Sequence, residues 1–401
     1  MHNNLSTKRP IHVTAHTLSS ALGIGNEATL KSLREKEGGL RQHELRGGGT
    51  TWLGLVPDIG EEPTRGTLSQ YDCRASRVLG HALVQDDFHI QVARARAQYG
   101  ADRIGCFIGT IGAGLGHLEE CYRNHDITNG DLGRDVRIDH TAQLFSVTEQ
   151  CQRVLDISGP AATISTACSS SAKVFCTAYR YLAAGLCDAV VVGGIDCANE
   201  GFIYGFRSLG LLSSLPCRPW DRDRDGLSIG EAAGFALLER QPRGANSVAL
   251  LGYGETSDSY HPTAPHPEGD GAVEAMRHAL GIAGLRPEEI DYINLHGSST
   301  PSNDQSEDHA ILRVFGDTVP CSSTKSWTGH AQGAAGITEA ILSILSLQND
   351  VIPATLNTVA LDPALRTRIV TQNVVHRLKH VLSNSFGFGG NNCTLIFGAA
   401  Q

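Results

Sequence analysis

Two kinds of segment alternate along the chain. Short apolar runs such as 188–194 are typical of strands covered on both faces, and longer segments with apolar residues three or four apart are typical of helices. The predicted strands are 11–15, 105–109, 161–165, 188–194, 233–239, 248–252, 292–295, 319–323 and 393–398. The predicted helices are 19–38, 169–185, 271–283, 304–315 and 333–348. This alternation predicts an α/β fold.

The alternation occurs twice. The polar segment RQPRGANS separates the two series, so we predict an N-terminal half at 1–243 and a C-terminal half at 244–401. In each half a strand and a tight turn bring a reactive side chain, Cys168 or His330, to the start of a long alanine-rich helix. This echo predicts two related halves that face each other.

Size and charge narrow the class of protein. A chain of 401 residues with 41% apolar and 19% charged residues is large enough for two fused lobes and is typical of a compact protein. The net charge is −9 and the basic residues are scattered, which argues against a nucleic-acid partner.

An acidic protein partner would need a local basic patch. Arg74, Arg77 and Arg207 are candidates for it, and ordinary surface arginines are the equal alternative.

The cysteines and the N-terminus bear on the compartment. Eleven cysteines form no C-x-x-C pair and are odd in number, which predicts free thiols. The first 23 residues lack the order of a secretory signal, and no apolar run approaches the ~20 residues that cross a bilayer. We expect a cytoplasmic protein without membrane insertion.

Cys168 lies at a strand-to-helix turn among small residues, in STACSSSA. The unpaired N–H groups and the dipole of a helix start are expected to lower the thiol pKa and favour the nucleophilic thiolate. Nearby N–H groups could also bind the oxyanion of a thioester under attack. A buried structural thiol is the alternative, and it is the default for the other ten cysteines.

Two histidines lie in similar settings. His296 ends a predicted strand in HGSSTPSND, and strand ends are where α/β proteins build sites. His330 follows Lys325 by five residues in STKSWTGHAQGAAG, and Glu339 lies further along the next helix. For the lysine and the glutamate the alternative is a solvated surface position.

NSFGFGGNN predicts a loop that its glycines permit, with Phe386 and Phe388 beside the last strand. It could supply an oxyanion N–H, or it could be a hairpin turn with core phenylalanines.

Two other motifs give weaker evidence of a functional site. DRDRDG resembles a calcium loop, but position twelve is Ala232, which favours a structural turn. The glycines at 109–114 form neither G-x-G-x-x-G nor a P-loop.

In order and spacing, five motifs resemble those of the β-ketoacyl-[acyl-carrier-protein] synthases of types I and II. The motifs are STACSSS, RPWDRDRDG, HGSSTPSND, STKSWTGHAQGAAG and NSFGFGGNN. The resemblance implies the thiolase fold, an α/β architecture in which two related halves form a five-layer αβαβα sandwich. It also implies an acyl carrier protein as partner and a homodimer. A heterodimer with a chain-length-factor-like subunit stays open.

The resemblance implies a decarboxylative condensation. Cys168 takes an acyl chain from the phosphopantetheine of a carrier protein, so the chain itself needs no cofactor and no metal. The N–H groups of Cys168 and Phe388 form the oxyanion hole, and His296 and His330 assist decarboxylation of a malonyl thioester. The carbanion then attacks the acyl group on Cys168 and yields a β-ketoacyl product two carbons longer.

Other residues take supporting roles by the same resemblance. Lys325 sets the electrostatics of the histidines, and Phe388 gates the acyl pocket. Supporting positions are Glu339, Asp304 and Phe386, and substrate-binding positions are Ser298, Thr300 and Gly112. Gly112 matches a pocket-floor position that is often bulky, so a deeper tunnel is expected. That predicts long, unsaturated or rigid chains, as in a polyene or polyketide pathway.

Two rival functions remain. A thiolase-like acyltransferase on coenzyme A thioesters would use a second cysteine rather than two histidines, so His296 and His330 disfavour it. A non-catalytic chain-length partner would lack the nucleophile, and Cys168 is present. The chain could still be the active half of a heterodimer.

Overall fold

The computed structural model of the chain describes residues 10–64, 66–133, 136–244 and 247–399. Two segments used in the sequence analysis fall partly outside these ranges. Residues 1–9 belong to the segment inspected for a secretory signal, and residues 245–246 belong to the polar segment between the halves. Within the described ranges, no helix is long and apolar enough to cross a membrane. All eleven cysteines are buried and free of disulfides, as expected.

The helices and strands alternate along the chain as the apolar pattern predicts. The strands are β1 Ile11–Ser20, β2 Gly23–Ile24, β3 Arg41–Glu44, β4 Thr50–Gly54, β5 Ile104–Gly109, β6 Ala161–Ile164, β7 Ala189–Asp196, β8 Ile229–Gly230, β9 Ala232–Glu239, β10 Val248–Ser257, β11 Tyr292–Asn294, β12 Cys321–Ser322, β13 Val351–Ile352, β14 Val374–Val375, β15 His380–Gly387 and β16 Asn391–Ala399. The helices are α1 Asn26–Glu35, α2 Arg74–Leu83, α3 Phe88–Tyr99, α4 Leu115–Arg123, α5 Ser146–Leu155, α6 Ser170–Ala183, α7 Glu200–Ser208, α8 Asp270–Ala283, α9 Pro301–Phe315, α10 Lys325–Thr328 and α11 Ala335–Asn349.

The main sheet repeats one topology. The N-terminal strands lie in the order β1-β9-β7-β5-β6, and the C-terminal strands lie in the order β10-β16-β15-β11-β12. In both series the first two pairings are antiparallel and the last two are parallel. The first strands of the two series, β1 and β10, pair antiparallel and join both series into one sheet. The repeated order confirms the predicted relation between the two halves.

Helices form three layers around this sheet. The helices α6 and α11 pack against each other between the two halves, while α2, α3 and α5 cover the outside of one half and α8 and α9 cover the other. Helix α11 is buried along nearly its whole length, which is expected of an apolar helix covered on both faces. The result is the five-layer αβαβα sandwich that the resemblance implied.

Two sequence predictions differ from the structure. The first is the helix at 19–38: residues 19–20 end β1 and residues 23–24 form β2, so α1 begins only at Asn26 and ends at Glu35. The second is NSFGFGGNN, which was predicted as a loop with a hairpin turn as the alternative. Its first four residues belong to β15 and its last two belong to β16, so the alternative is confirmed and a tight hairpin turn lies at 388–390. The polar and glycine residues of β15 conceal the strand from an apolar-pattern analysis. The boundary between 1–243 and 244–401 falls between β9 and β10 and stays a prediction, because one sheet continues across it.

Candidate active site

The residues predicted for catalysis converge on one cavity of ≈ 50 Å³. Cys168 follows β6, His296 follows β11, and Lys325 and His330 follow β12, so all four come from the carboxyl ends of parallel strands. The cavity is lined by Cys168, His296, His330, Ser298, Thr300, Phe386 and Phe388, with Phe206 and part of the segment 258–265. The two chain halves therefore contribute to a single site.

The turn that carries Cys168 is held in a strained conformation. Ala167 has a φ of 53°, a left-handed value that costs a non-glycine residue about 1–3 kcal/mol. Gly387 approaches this turn so closely that a Cβ on it would lie 3.0 Å from the Cys168 nitrogen. The hairpin at 388–390 thus packs directly onto the nucleophile turn, and a larger residue at position 387 would push against the backbone of this turn.

Two backbone N–H groups face the Cys168 sulfur. They belong to Phe388 and to Cys168 itself, and both lower the pKa of the thiol by donating hydrogen bonds to it. Donors fixed in this way can stabilise the oxyanion that forms when the thioester on the sulfur is attacked. These are the N–H groups that the resemblance implied.

Burial raises the pKa of the Cys168 thiol to about 11, although Lys325 and the two N–H groups oppose the rise. Cys168 exposes only 7% of its surface. The free-energy cost of removing the thiolate from water exceeds the stabilisation that nearby charges and dipoles give it. The expectation that the helix start gives a low pKa is therefore wrong for the unliganded protein.

Alkylation of Cys168 should show this directly. Below its pKa the reactive thiolate fraction rises with pH, so we expect the iodoacetamide rate to increase about tenfold per pH unit from neutral to alkaline pH. Peptide mass spectrometry after timed alkylation measures the rate at Cys168 separately from the other cysteines. A rate that levels off below pH 8 would contradict the high pKa.

His330 is held in one tautomer. The backbone N–H of Gln332 donates to Nδ1 of His330 over 3.0 Å, so the ring proton resides on Nε2. Burial lowers the pKa of His330 well below its usual range, and the Lys325 charge lowers it further. His330 is therefore a neutral imidazole whose Nε2–H can donate a hydrogen bond.

His296 is held in the same way. The Lys325 ammonium lies 3.3 Å from Nδ1 of His296 and donates to it, which leaves the ring proton on Nε2. Burial lowers the pKa of His296 well below its usual range, with Lys325 and His330 as further causes. The two rings lie 5.4 Å apart at 82°. Two neutral N–H donors at one position suit the oxygen of a thioester that becomes an enolate.

Lys325 and Glu339 form a buried ion pair behind the histidines. Lys325 also donates to the backbone carbonyl of His296, so its ammonium connects the helix that carries Glu339 to the strand end. Burial raises the pKa of Glu339 to about 7 against the effect of Lys325. The alternative of solvated surface positions for these two residues is wrong.

Two further carboxylates hold the His296 loop. Asp304 accepts the N–H groups of Trp220 and Ser299, and thereby fastens the RPWDRDRDG segment to this loop. Glu307 accepts the N–H groups of His296 and Gly297 and was not predicted from the sequence. Burial raises the pKa of Glu307 to about 7 and that of Asp304 to about 6.

The Asp–x–Asp pattern at 221–225 is a structural turn, as expected, because the backbone N–H of Asp223 donates to the Asp221 carboxylate. The described ranges contain no cluster of side chains suited to a metal.

The substrate-facing positions lie at the mouth of the cavity. The hydroxyls of Ser298 and Thr300 are 2.9 Å apart and both residues line it. Phe386 packs 6.0 Å from the His296 ring, and Phe388 packs 5.8 Å from the Phe206 ring. Phe206 was not singled out in the sequence, because an aromatic residue in an exposed helix carries no local signal.

Gly112 lies away from this cavity. A Cβ at Gly112 would be 2.8 Å from Cε2 of Phe202, so the Phe202 ring already fills the space beside the glycine. The N–H of Gly112 is bonded to the buried Asp196 over 2.8 Å. The space beside Gly112 is therefore occupied by a residue of α7 that was not selected from the sequence, and the deeper tunnel stays a prediction.

The arginines proposed for a carrier protein differ among themselves. Arg74 forms a two-point ion pair with the buried Glu231, and Arg77 pairs with Asp72. Arg207 is exposed and lies over the ring of Tyr204, and it forms no ion pair with the described part of the chain. Arg74 and Arg77 serve internal pairs, which leaves Arg207 as the candidate for an acidic partner.

Comparisons with known proteins agree with this site. Residues 87–243 match the family model described as "Beta-ketoacyl synthase, N-terminal domain", and residues 248–359 match "Beta-ketoacyl synthase, C-terminal domain". A relative from Staphylococcus aureus, 3-oxoacyl-[acyl-carrier-protein] synthase 2, is 37% identical over 74% of this chain and 77% of its own length. Its namesake from Coxiella burnetii is 35% identical over 74% of this chain and 75% of its own.

Solved structures give the same result. A chain of the complex between the ketosynthase ApeO and its chain length factor ApeC from Xenorhabdus doucetiae matches with 38% identity, a TM-score of 0.90 and all of both chains covered. The ishigamide ketosynthase/chain length factor matches with 28% identity and a TM-score of 0.87, over 98% of this chain and 100% of that one. The chain belongs to the β-ketoacyl synthase family of the thiolase superfamily.

Proposed function

We propose that this chain is a 3-oxoacyl-[acyl-carrier-protein] synthase, an acyltransferase that elongates an acyl chain by two carbons. The observation that carries the proposal is one cavity in which a cysteine sulfur faces two backbone N–H groups and two neutral histidines. The curated relatives from Staphylococcus aureus and Coxiella burnetii bear the name of this activity.

The reaction has two stages. The Cys168 thiolate attacks the thioester of an acyl carrier protein, the N–H groups of Cys168 and Phe388 hold the oxyanion, and the carrier thiol leaves with a proton. A malonyl thioester then binds with its carbonyl oxygen between His296 and His330 and loses carbon dioxide to give an enolate. The enolate carbon attacks the acyl group on Cys168, which releases the β-ketoacyl thioester and the Cys168 thiolate, and the thiolate takes up a proton from water to restore the thiol. The phosphopantetheine arrives on the carrier protein, so the chain needs no cofactor of its own.

The carrier protein and a second subunit are the proposed partners. One similar solved structure is a type II polyketide acyl carrier protein in complex with its ketosynthase, and two are ketosynthases with chain length factors. Because the last two match this chain over nearly its whole length, we favour the active subunit of a ketosynthase–chain-length-factor pair over a homodimer. Long or unsaturated chains of a polyene or polyketide pathway are the proposed substrates, and the cytoplasm is the proposed compartment.

Acyl transfer to Cys168 tests the activity. After incubation with a panel of acyl carrier proteins, intact-protein mass spectrometry should show one acyl mass, and peptide mapping should place it on Cys168. No acyl mass with any donor would refute the proposed function. Gel filtration of the chain alone and with a genomically adjacent homologue separates a homodimer from a heterodimer.

A further inference from the structure

A buried carboxylate that no step of the proposed reaction uses lies at the end of β7. Asp196 is the last residue of this strand, and its side chain is fully buried. Its Oδ1 accepts the hydroxyl of Thr110 over 2.7 Å and the N–H of Gly112 over 2.8 Å, and its Oδ2 accepts the N–H of Ile111 over 3.0 Å. All three donors follow β5 directly and are uncharged. They offset the cost of keeping a carboxylate away from water.

The other side of the carboxylate faces the segment that follows His330. A Cβ on Gly333 would lie 2.6 Å from Oδ2 of Asp196, so the Gly333 main chain lies close against this oxygen. Burial raises the pKa of Asp196 to about 6, and the N–H of Gly333 is among the donors that oppose the rise. Asp196 therefore joins the loop after β5 to the turn after His330.

This turn determines the tautomer of His330. Its Nδ1 accepts the N–H of Gln332, which keeps the ring proton on Nε2. The main chain of His330 is fixed separately, since its N–H donates to the carbonyl of Ser228 over 2.7 Å and its carbonyl accepts the N–H of Gly230 over 2.9 Å. The direction of the Gln332 N–H thus depends on the conformation of residues 331–333.

Gln332 adopts a conformation that a free turn would rarely populate. Its φ is 56°, a left-handed value that is unfavourable for a residue other than glycine. Within the described ranges its buried side-chain amide has no hydrogen-bond partner, so that side chain does not hold the turn. The next residue, Gly333, makes the polar contact with Asp196 that can hold it.

We propose that Asp196 is a positioning residue: its carboxylate holds the turn at 331–333 in the conformation that fixes His330 as the Nε2–H tautomer. The inference rests on the proposed function, because this tautomer is needed where the oxygen of the malonyl thioester becomes an enolate. Transfer of an acyl group to Cys168 uses neither the ring nor the turn. Asp196 therefore supports decarboxylation and condensation, and not acylation.

The first test is Asp196→Asn, which removes the charge and keeps the size. Thr110 and Gly112 both donate to Oδ1, so the asparagine carbonyl should take that position and its NH₂ group should face the N–H of Gly333. Release of carbon dioxide from malonyl-carrier protein should fall by at least about tenfold, while acylation of Cys168 stays within about twofold of wild type. Headspace analysis measures the first rate, and mass spectrometry measures the second.

The second measurement reads the tautomer without any substrate. In protein labelled at histidine with the NMR-active nitrogen isotope, the ring signals of His330 are those absent from His330→Gln. Wild type should show a neutral ring with its proton on Nε2, and Asp196→Asn should show a mixture of the two neutral tautomers. Because no substrate takes part, this result is independent of the proposed function.

Thr110→Val is the matched control. It removes a donor to Oδ1 of Asp196 and leaves the contact of Oδ2 with Gly333, so it should lower the midpoint of thermal unfolding without changing the tautomer or decarboxylation. If Asp196→Asn does not fold, Gly333→Ala decides the matter, because its Cβ separates the turn from the carboxylate and should cause the same loss of decarboxylation.

A wild-type tautomer of His330 in folded Asp196→Asn would overturn the positioning role. Equal losses of acylation and decarboxylation would overturn it as well, since they would indicate general damage to the site. If wild type neither accepts an acyl group nor releases carbon dioxide, the proposed function fails instead. The tautomer measurement then still decides whether Asp196 holds the turn, so the two failures are distinguishable.

Discussion

Replacement of Cys168 by alanine should abolish acyl transfer and lower condensation by at least about 10⁴-fold, because loss of a covalent nucleophile removes the intermediate itself. The side chain is small and lies at a turn whose strained backbone begins at Ala167, so the alanine variant should keep the fold. Mass spectrometry after exposure to acyl-carrier proteins measures transfer, and product formation from malonyl-carrier protein measures condensation.

The same variant separates the two stages of the reaction. His296 and His330 retain their Nε2 protons in Cys168→Ala, since those are set by Lys325 and by the Gln332 N–H. Release of carbon dioxide from malonyl-carrier protein should therefore continue without acylation. Cys187→Ala, which removes a buried thiol just before β7, is the matched control and should transfer acyl groups normally. Acyl transfer by Cys168→Ala at the wild-type rate would remove Cys168 from the mechanism.

Lys325→Met should destabilise the protein by about 3–5 kcal/mol, the usual cost of breaking a buried ion pair by removing one partner. It leaves Glu339 buried among apolar neighbours without its cation. It also removes the donor to Nδ1 of His296. The rate of condensation should therefore fall by roughly 100-fold or more, as rates do when an enzyme loses one positioned hydrogen-bond donor. Chemical unfolding and steady-state condensation measure the two effects.

The loss of stability in Lys325→Met should depend on pH. Burial already raises the pKa of Glu339 to about 7, and removal of the ammonium removes the charge that opposes this rise. A carboxyl with a raised pKa in the folded state stabilises most below its unfolded pKa and loses that contribution as pH rises through the folded value. The variant should therefore be closer to wild type near pH 5 than at pH 8.

The double variant Lys325→Met/Glu339→Gln is the control for stability. It removes both charges, so it should be more stable at pH 8 than Lys325→Met alone, while its condensation stays low because His296 still lacks its donor. Equal stability of the single and double variants at pH 8 would show that Glu339 bears no uncompensated charge. Wild-type condensation in Lys325→Met would show that His296 does not depend on the ammonium.

Much of the architecture follows from local patterns in the sequence. Continuous apolar runs identify β5, β7 and β9, since strands covered on both faces need no polar alternation. The nearly uniform apolar character of α11 places it in the central layer. The motifs around Cys168, His296 and His330 identify the chemistry through their resemblance to those of the β-ketoacyl synthases, while their spacing alone indicates only candidate reactive groups.

Local patterns along the chain are therefore enough to predict the α/β class, the repeat of two halves and, through the family resemblance, the reacting groups. The packing of the folded chain sets the state of those groups: burial raises the thiol pKa of Cys168 to about 11, and the contact with Lys325, which lies 29 residues further along the chain, sets the tautomer of His296. It also decided that the ring of Phe202 lies against Gly112. The physical reason is that burial and electrostatic coupling depend on residues far apart in the chain, which local spacing does not encode.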